Sequence, residues 1–231
     1  MNVAIVLSGG VGSRLGTDIP KQYIEVQGKP VVTYSLETLD KDKHIDELWI
    51  VAEEEWVGFI RDWANKLGVA SKLKGFSKPG ANRQLSIYNA LVDLNNHLRA
   101  EDYVFIHDAA RPLLSEALIA RSFEEIAGAD GVIPVVPMKD TVYKSEDGKT
   151  IASLLEREKI FGGQAPETFV YGKYLEANQV LVDSGEIVNI NGSTEPAIKF
   201  GMKIKMIEGE EANYKITTKE DLRRFEESIR G

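Results

Sequence analysis

Cysteine is absent from the 231 residues of this chain, and that absence excludes disulfide bonds, zinc–thiolate sites, iron–sulfur clusters and thiol nucleophiles. The chain therefore requires no oxidising compartment. Histidine is scarce, with three copies, and none of them has a partner at the spacing of a metal site. Long apolar runs are also missing, since no stretch approaches the roughly 18 residues of a membrane span. We expect a cytoplasmic protein that does not enter a membrane.

Basic charge is in deficit. The chain has 28 lysines and arginines against 36 acidic residues, which gives a formal net charge of −8. Such a chain disfavours sequence-blind binding to nucleic acid or to an anionic membrane surface. A local basic pocket for a small phosphate ligand remains compatible with it. Hydrophobic residues make up 43% of the chain, which is ordinary for a globular protein with a real core.

Predicted strands alternate with predicted helices through residue 136. Segment 2–8 is apolar, has no basic stretch before it and is closed by Gly9 and Gly10. It therefore predicts a buried first strand and not a signal peptide. Further strands are expected at 47–53, 71–75, 102–107 and 131–136, and helices at 31–38, 56–67, 83–98 and 116–126. This alternation indicates an α/β fold with a mostly parallel sheet, whose ligands bind outside the carboxyl ends of the strands.

The segment at about 138–160 interrupts the alternation. Residues 141–143, a turn at Asp147-Gly148 and residues 150–154 predict a β-hairpin that projects as an arm. A helix at 169–182, a strand at 203–208 and a helix at 219–229 complete the pattern, with Thr217 or Thr218 as the last N-cap. Because the sequence contains no repeat, low-complexity segment or linker, we expect one domain spanning 1–231.

A glycine-rich loop follows the first strand, in the sequence SGGVGSRLG at 8–16 and PKQ at 20–22. Glycines let the backbone approach a ligand, and free N–H groups bind phosphate. Arg14 and Lys21 add positive charge. The spacing matches neither a Walker A loop nor a dinucleotide fingerprint. The structural alternative is a tight turn that needs glycine for backbone geometry alone.

Three further segments carry polar residues at positions where ligands bind. GANRQLS at 80–86 opens a helix, where N–H groups suit a ribose, base or phosphate, although an ordinary N-capped helix looks the same. In HDAARP at 107–112, Asp108 ends a strand and can hold Mg²⁺ or a sugar hydroxyl. Arg111 pairs either with phosphate or with Asp108 itself. In NYKITT at 213–218, Lys215 is either a site residue or a surface lysine.

Acid–base and nucleophile motifs are missing, since there is no Ser/His/Asp order, no HExxH and no recognisable pair of carboxylates. Basic residues recur instead in the polar segments: Arg14, Lys21, Arg83, Arg111, Arg157 and Lys215. Catalysis by cations and Mg²⁺ without a protein nucleophile is typical of phosphoryl or nucleotidyl transfer.

Taken in order, SGGVGSRLG, PKQ, GANRQLS, HDAARP, Asp140-Thr141 and NYKITTKEDL resemble the methylerythritol-phosphate cytidylyltransferase family. The ribitol-phosphate cytidylyltransferases of teichoic acid synthesis belong to the same group. The resemblance runs from residue 2 to about 225. It implies that CTP and a polyol phosphate give a CDP-polyol and pyrophosphate with Mg²⁺. It also implies a Rossmann-like sheet with helices on both faces and a β-arm that forms a homodimer.

The resemblance also assigns roles to residues that match the family motifs. Implied catalytic residues are Arg14, Lys21 and Lys215. Implied nucleotide-binding residues are Leu7, Ser8, Gly9, Gly10, Gly12, Ser13, Gly80, Arg83, Ser86 and Ala109. Implied acceptor-binding residues are Asp108, Arg111, Thr141, Arg157 and Asn191. Asp108 is also the implied metal ligand, and Thr141 and Arg157 would reach the acceptor from the partner's arm. The acceptor phosphate is already anionic, so the resemblance implies no general base.

The acceptor half departs from the family pattern. Gln164-Ala165-Pro166-Glu167 stands where the family has Thr-Pro-Gln, so a hydroxyl is lost at Ala165. Residues 191–195 replace a Thr-Asp loop, and Tyr143 stands where a lysine is expected, with Lys144 shifted by one. A site that reads hydroxyls is expected to select differently without them.

These departures favour an alditol phosphate of the ribitol or glycerol type, for a surface polysaccharide, as the acceptor. The first alternative is a 2-C-methyl-D-erythritol 4-phosphate cytidylyltransferase of isoprenoid synthesis. A nucleotide-binding protein without transfer activity is a second alternative, against which Arg14, Lys21 and Lys215 argue. A nicotinamide dehydrogenase is the most distant one.

Overall fold

The computed structural model describes residues 1–10, 16 and 19–230 of the chain. Its strands are β1 (Asn2–Leu7), β2 (Glu25–Val26), β3 (Lys29–Pro30), β4 (Glu47–Val51), β5 (Leu73–Ser77), β6 (Tyr103–Asp108), β7 (Gly131–Pro137), β8 (Tyr143–Lys144), β9 (Ser153–Leu154), β10 (Phe161–Gly163), β11 (Glu167–Val170) and β12 (Ile204–Glu208). Its α-helices are α1 (Val31–Lys41), α2 (Glu54–Lys66), α3 (Arg83–Asp93), α4 (Glu116–Glu125), α5 (Tyr171–Asp183), α6 (Thr194–Lys199) and α7 (Lys219–Ser228).

Within the described ranges, eight strands form a central sheet in the order β10-β7-β11-β6-β1-β4-β5, with β12 also paired to β7. The β1–β4, β1–β6, β4–β5 and β7–β12 pairs are parallel. Strands β10 and β11 are antiparallel to their neighbours. The prediction of a mostly parallel α/β sheet is therefore confirmed.

Helices cover both faces of this sheet, because side chains along a strand alternate between its faces. Ala4 and Val6 of β1 pack in a core with α1, α2 and α4. Val3 and Ile5 of the same strand pack on the other face with α3 and α5. Burial on both faces explains why β1 is apolar throughout.

The helix predicted at 169–182 is wrong at its start. Residues 167–170 form β11, in which Thr168 lies opposite both Phe105 of β6 and Val132 of β7. The helix begins only at Tyr171. Two flanking strands supply backbone partners to Thr168 and Phe169, and such tertiary pairing overrides a local helical pattern.

Two other boundaries also differ from the prediction. Helix α3 ends at Asp93, whereas the predicted helix ran to Leu98. The prediction was too long because Leu94 and Leu98, which follow the helix, are also buried and continue its apolar spacing. The strand expected at 71–75 lies at Leu73–Ser77. The short strands β2, β3 and β10 and the helix α6 were not predicted.

The hairpin arm is present, with β8 antiparallel to β9. Its turn is closed by Asp147, whose carboxylate accepts hydrogen bonds from the backbone N–H groups of Lys149 and Thr150, both at 2.8 Å. Large apolar side chains on the arm are exposed, at 54% for Tyr143, 67% for Ile151 and 65% for Leu154. No helix in the described ranges is long and apolar enough to cross a membrane.

Candidate active site

A cavity of about 400 Å³ opens at the carboxyl ends of β1, β4 and β6, where a parallel sheet is expected to bind its ligand. Nine of the predicted site residues line it: Leu7, Gly9, Gly10, Lys21, Gly80, Arg83, Ser86, Asp108 and Lys215. Gln22, Glu53, Asn82, Ala110 and Thr217 also line it and were not predicted. The glycine loop, the start of α3, the end of β6 and the segment after β12 thus meet in one place.

Two glycines in the wall of this cavity allow neighbouring segments of the chain to pack closely. A Cβ on Gly9 would lie 2.4 Å from Cγ of Pro79, and one on Gly80 would lie 2.4 Å from Cβ of Leu85. Both distances are far inside van der Waals contact, so any side chain would push the two loops apart. At Gly10, by contrast, no described atom lies within 4 Å of the Cβ position. Gly9 and Gly80 are therefore needed for packing, whereas the space beside Gly10 suits close approach of a ligand.

The glycine loop is held from behind by two buried side chains. Gln22 donates from Nε2 to the carbonyl oxygens of Ser8 and Gly10, at 2.6 and 2.8 Å. The hydroxyls of Ser8 and Tyr23 hydrogen-bond at 2.9 Å. The Ser8 backbone N–H donates to the Val51 carbonyl at 2.8 Å. The polar groups of Ser8 are thus used inside the protein, which gives Ser8 a supporting position and not a direct contact with the cavity.

The start of α3 forms the opposite wall. Asn82 caps the helix, and its side chain accepts a hydrogen bond from the Leu85 N–H at 2.8 Å. The Ser86 hydroxyl accepts from the Gly80 N–H and donates to the Asn82 carbonyl, each at 2.9 Å. This arrangement fixes Gly80 and leaves Arg83, in the first turn, free to extend across the end of the sheet.

An ionic cluster around Asp108 occupies the floor. Its Oδ1 accepts hydrogen bonds from Nε and Nη2 of Arg83, at 3.2 and 3.1 Å, and its Oδ2 accepts one from Nζ of Lys215 at 2.9 Å. Arg111 Nε lies 3.7 Å from Oδ2. Burial raises the pKa of Asp108, but the charges of Arg83 and Lys215 outweigh it and hold that pKa well below its usual value. Asp108 is therefore ionised and fixes two cations at the cavity.

Arg111 faces away from the cavity and holds the loop together. Its Nη1 donates to the Asn213 carbonyl at 2.5 Å. His107 lies 3.0 Å from the Arg111 carbonyl through Nε2, and burial lowers the pKa of His107 to about 4. His107 is therefore neutral at pH 7, with the proton on Nε2 so that it can donate. Of the two alternatives for Arg111, the structure therefore favours the contact with Asp108 over the binding of a phosphate.

The segment that carries Lys215 is anchored on both sides of it. Asn213 donates from Nδ2 to the Ala165 carbonyl at 2.7 Å. The Ile216 N–H donates to the Ala110 carbonyl at 2.8 Å. Thr218 then starts α7 with a capping box to Asp221. Of the two alternatives for Lys215, the structure therefore favours the first, because Lys215 lines the cavity and pairs there with Asp108.

Glu167 and Ser193 were missed by the sequence analysis as site residues. The Ser193 hydroxyl donates to Oε2 of Glu167 and accepts from Nη1 of Arg83 at 2.6 Å. Nη2 of Arg83 also lies 3.5 Å from Oε2 of Glu167. No local pattern indicates this contact, since Ser193 lies 110 residues from Arg83. The sequence carries one signal, and it concerns Glu167 alone: an acidic residue at the start of a buried strand is expected to have a charged or hydrogen-bonding partner.

Other predicted residues lie elsewhere. Thr141 and Arg157 line a groove on the arm and not the cavity, and Arg157 donates to the Lys139 carbonyl at 3.0 Å. Asn191 is exposed and its backbone N–H bonds to Glu195. Ala109 is buried, and Ala110 faces the cavity instead. Gly12, Ser13 and Arg14 lie outside the described residues.

A cation-lined cleft at the carboxyl ends of a mostly parallel sheet, next to a glycine-rich loop, defines an α/β nucleotidyltransferase. A family model for 2-C-methyl-D-erythritol 4-phosphate cytidylyltransferase matches residues 2–230, and the chain belongs to that family. The resemblance inferred from the motifs is confirmed, and so is the enzyme class, a cytidylyltransferase. The substrates of the family are CTP and a sugar or polyol phosphate.

Individual relatives agree with this assignment. The chain is 34% identical to the 2-C-methyl-D-erythritol 4-phosphate cytidylyltransferase of Rubrobacter xylanophilus, over 95% of this chain and 91% of that protein. It is 27% identical to a ribitol-5-phosphate cytidylyltransferase of Streptococcus agalactiae, over 97% of this chain and 93% of that protein. The crystal structure of 4-diphosphocytidyl-2C-methyl-D-erythritol synthase from Anaerococcus prevotii superposes with a TM-score of 0.84 at 25% identity, covering 100% of this chain and 96% of that one.

Proposed function

We propose that the chain transfers CMP from CTP to 2-C-methyl-D-erythritol 4-phosphate. The observation that carries this proposal is the family model over residues 2–230, together with relatives of that name at 30–34% identity. Relatives named for ribitol 5-phosphate match at 27%. The alditol phosphate favoured by the sequence analysis is therefore less well supported than its alternative.

The reaction is a direct displacement. An oxygen of the acceptor phosphate attacks the α-phosphorus of CTP, the bond between that phosphorus and the bridging oxygen breaks, and pyrophosphate leaves with the electron pair. No proton has to be removed from the attacking oxygen, which suits a cavity lined by the cations Lys21, Arg83 and Lys215. Lys21 and Lys215 would stabilise the charge that develops on the phosphoryl oxygens. Arg14 would join them.

Nucleotide binding would use the glycine side of the cavity. Space beside Gly10 admits phosphate next to backbone, and the wall at Gly80 and Ser86 would receive the cytosine and ribose. Leu7 and Gly9 would complete this surface. The nucleotide-binding roles of Gly12 and Ser13 stay predictions, because both residues lie outside the described ranges.

A divalent ion fits the donor set in one way. The described residues contain no cluster of three or more His, Asp or Glu suited to a metal, and Asp108 accepts hydrogen bonds from Arg83 and Lys215. Mg²⁺ in nucleotide enzymes is usually held by substrate phosphates and one or two carboxylates. The triphosphate would therefore hold most of it, with Asp108 as the protein ligand. Bound there, Mg²⁺ would offset the charge of the triphosphate.

The arm would complete the site in a homodimer. Thr141 and Arg157 line a separate groove and not the cavity of their own chain, so we propose that they contact the acceptor bound to a partner. The exposed Tyr143, Ile151 and Leu154 form apolar surface that a second copy would cover. A cytoplasmic location also stays a prediction.

Ribitol 5-phosphate is the second candidate acceptor. It is favoured by the loss of a hydroxyl at Ala165, by the altered loop at 191–195, and by the relatives from Streptococcus agalactiae. Both candidates share the CTP half of the site, so they differ only in how the acceptor is bound.

One assay separates these proposals. Purified enzyme with CTP and Mg²⁺ is offered methylerythritol, ribitol, glycerol and xylitol phosphates, and pyrophosphate release is measured, with ATP, GTP and UTP as controls. The highest kcat/KM is expected with CTP and 2-C-methyl-D-erythritol 4-phosphate. A higher value with ribitol 5-phosphate would establish the second candidate. Binding of CTP without pyrophosphate release from any acceptor would indicate a nucleotide-binding protein.

A further inference from the structure

Arg83 lies between two buried carboxylates. Its Nη2 is 3.1 Å from Oδ1 of Asp108 on one side and 3.5 Å from Oε2 of Glu167 on the other. Both acidic side chains are largely inaccessible, with 10% of the Asp108 side chain and 9% of the Glu167 side chain exposed. Only Asp108 faces the cavity, because Glu167 lies behind the guanidinium. Arg83 thus contacts Asp108, which a ligand in the cavity can reach, and Glu167, which it cannot reach.

Ser193 joins Glu167 to Arg83. Its hydroxyl accepts from Nη1 of Arg83 at 2.6 Å and donates to Glu167. Its carbonyl accepts a hydrogen bond from Oη of Tyr174 at 2.7 Å, which fixes the Ser193 backbone against α5. Gln84, the neighbour of Arg83, donates to the same Tyr174 oxygen at 3.1 Å. The hydroxyl of Ser193 is therefore held at a set place beside the guanidinium.

A carboxylate is an unusual neighbour for phosphates, which it repels. Asp108 faces a cavity that must admit a triphosphate and an acceptor phosphate. Besides the Mg²⁺ proposed above, its carboxylate is suited to the hydroxyls of the acceptor and not to the acceptor phosphate. A hydroxyl that donates to Oδ1 of Asp108 would compete with the two hydrogen bonds that this oxygen accepts from Arg83. A buried guanidinium without a partner is costly, so Arg83 needs a second anionic partner when this happens. Glu167 and Ser193 supply it.

We propose that Glu167 and Ser193 are positioning residues for acceptor binding: they hold Arg83 in place so that Asp108 can turn to the acceptor hydroxyls. This inference rests on the proposed transfer to a polyol phosphate. The resemblance gives Arg83 to the nucleotide, but its guanidinium contacts Asp108, Glu167 and Ser193, and we assign it here to the acceptor. The inference therefore predicts that the pair affects the acceptor KM and leaves the CTP KM nearly unchanged.

The test uses the full-length enzyme and the acceptor that the wild type turns over best. Ser193→Ala removes the bridging hydroxyl, Ser193→Thr keeps it, and Glu167→Gln keeps a hydrogen-bond acceptor without the charge. Ser193→Ala and Glu167→Gln are each expected to raise the acceptor KM about tenfold, the effect of losing one hydrogen bond to a charged group. The KM for CTP should stay within about twofold, and Ser193→Thr should restore the acceptor KM. The double variant should match the single ones, because the two residues act as one unit.

Equal rises in both KM values, or no change in either, would overturn the proposal. So would failure of Ser193→Thr to restore the acceptor KM. If Glu167→Gln does not fold, as judged by circular dichroism and Tm, the Ser193→Ala and Ser193→Thr pair decides alone. A wild type that turns over no acceptor overturns the proposed function and this inference together, whereas an active wild type with unchanged variants overturns the inference only.

Discussion

The two sides of the cavity are built by different means. The side proposed to bind the nucleotide, here called the nucleotide side, consists of backbone: Gly9 lies against Pro79, Gly80 lies against Leu85, and Asn82 caps α3. The side proposed to bind the acceptor, here called the acceptor side, consists of charged side chains that converge on Asp108 from distant parts of the chain. In the backbone wall, an added side chain causes a steric clash. In the ionic cluster, removing or titrating one partner weakens the interactions of the others gradually. We therefore expect the two sides to respond differently to substitution.

The largest expected effect comes from the two lysines proposed to be catalytic, Lys21 and Lys215, which line the same cavity. Lys21→Ala and Lys215→Ala should each lower kcat about 10²–10³-fold, because each is expected to stabilise charge that develops in the transition state. Steady-state pyrophosphate release at saturating CTP and acceptor measures this. Lys205→Ala is a matched control, since Lys205 forms an exposed ion pair with Glu125 far from the cavity. An unchanged kcat in the site variants would remove the assigned roles.

The steric character of the nucleotide side is tested by Gly80→Ala. The new Cβ would meet Cβ of Leu85 at 2.4 Å and its backbone carbon at 2.6 Å. We expect the free energy of unfolding to fall by about 2–3 kcal/mol, measured by urea denaturation. Gly58→Ala in α2 is the control, because no described atom lies within 4 Å of its Cβ position. Equal stability of the two variants would contradict a packed wall.

Burial of His107, the residue before Asp108, predicts a pH dependence of stability next to the acceptor side. The folded pKa of His107, about 4, lies below the usual value of about 6.5 in an unfolded chain. Below pH 6.5 the unfolded state therefore binds a proton that the folded state does not, and stability falls as the pH falls. Between pH 7 and pH 5 this amounts to about 2 kcal/mol. Chemical denaturation of the wild type and of His107→Gln should show the slope reduced in the variant. The same slope in both proteins would assign it to other groups.

The arm offers the smallest effect and the sharpest contrast between substrates. Arg157→Ala should raise the acceptor KM about tenfold, as expected for one lost charged contact, and leave the CTP KM nearly unchanged. Lys159→Ala on the same arm, whose exposed lysine pairs with Glu156, is the control. If both substrates are affected alike, the arm does not reach the acceptor.

Sequence reasoning predicted which residues form the glycine wall of the cavity because the determinants of that wall are local. Gly9 and Gly10 directly follow a buried strand, Gly80 precedes a capped helix, and Asp108 ends a strand, so topology alone brings them together. It also located Lys215 through a family motif. The contacts of Glu167 and Ser193 were not predicted because they join distant parts of the chain. Ser193 lies 26 residues from Glu167 and 110 from Arg83, and no periodicity in the sequence indicates such a contact. Strand β11 was not predicted for the same reason, because its pairing with β6 and β7 determines its strand conformation.

The anchoring of Lys215 has a consequence for the order in which the protein becomes an enzyme. The lysine reaches Asp108 across 107 residues, held by Asn213 and Ile216, so it arrives only after nearly the whole polypeptide has left the ribosome. A fragment that ends before residue 213 contains the residues of both glycine walls but lacks this lysine. On the role proposed for Lys215, the ability to turn over CTP is the last property that the nascent chain acquires.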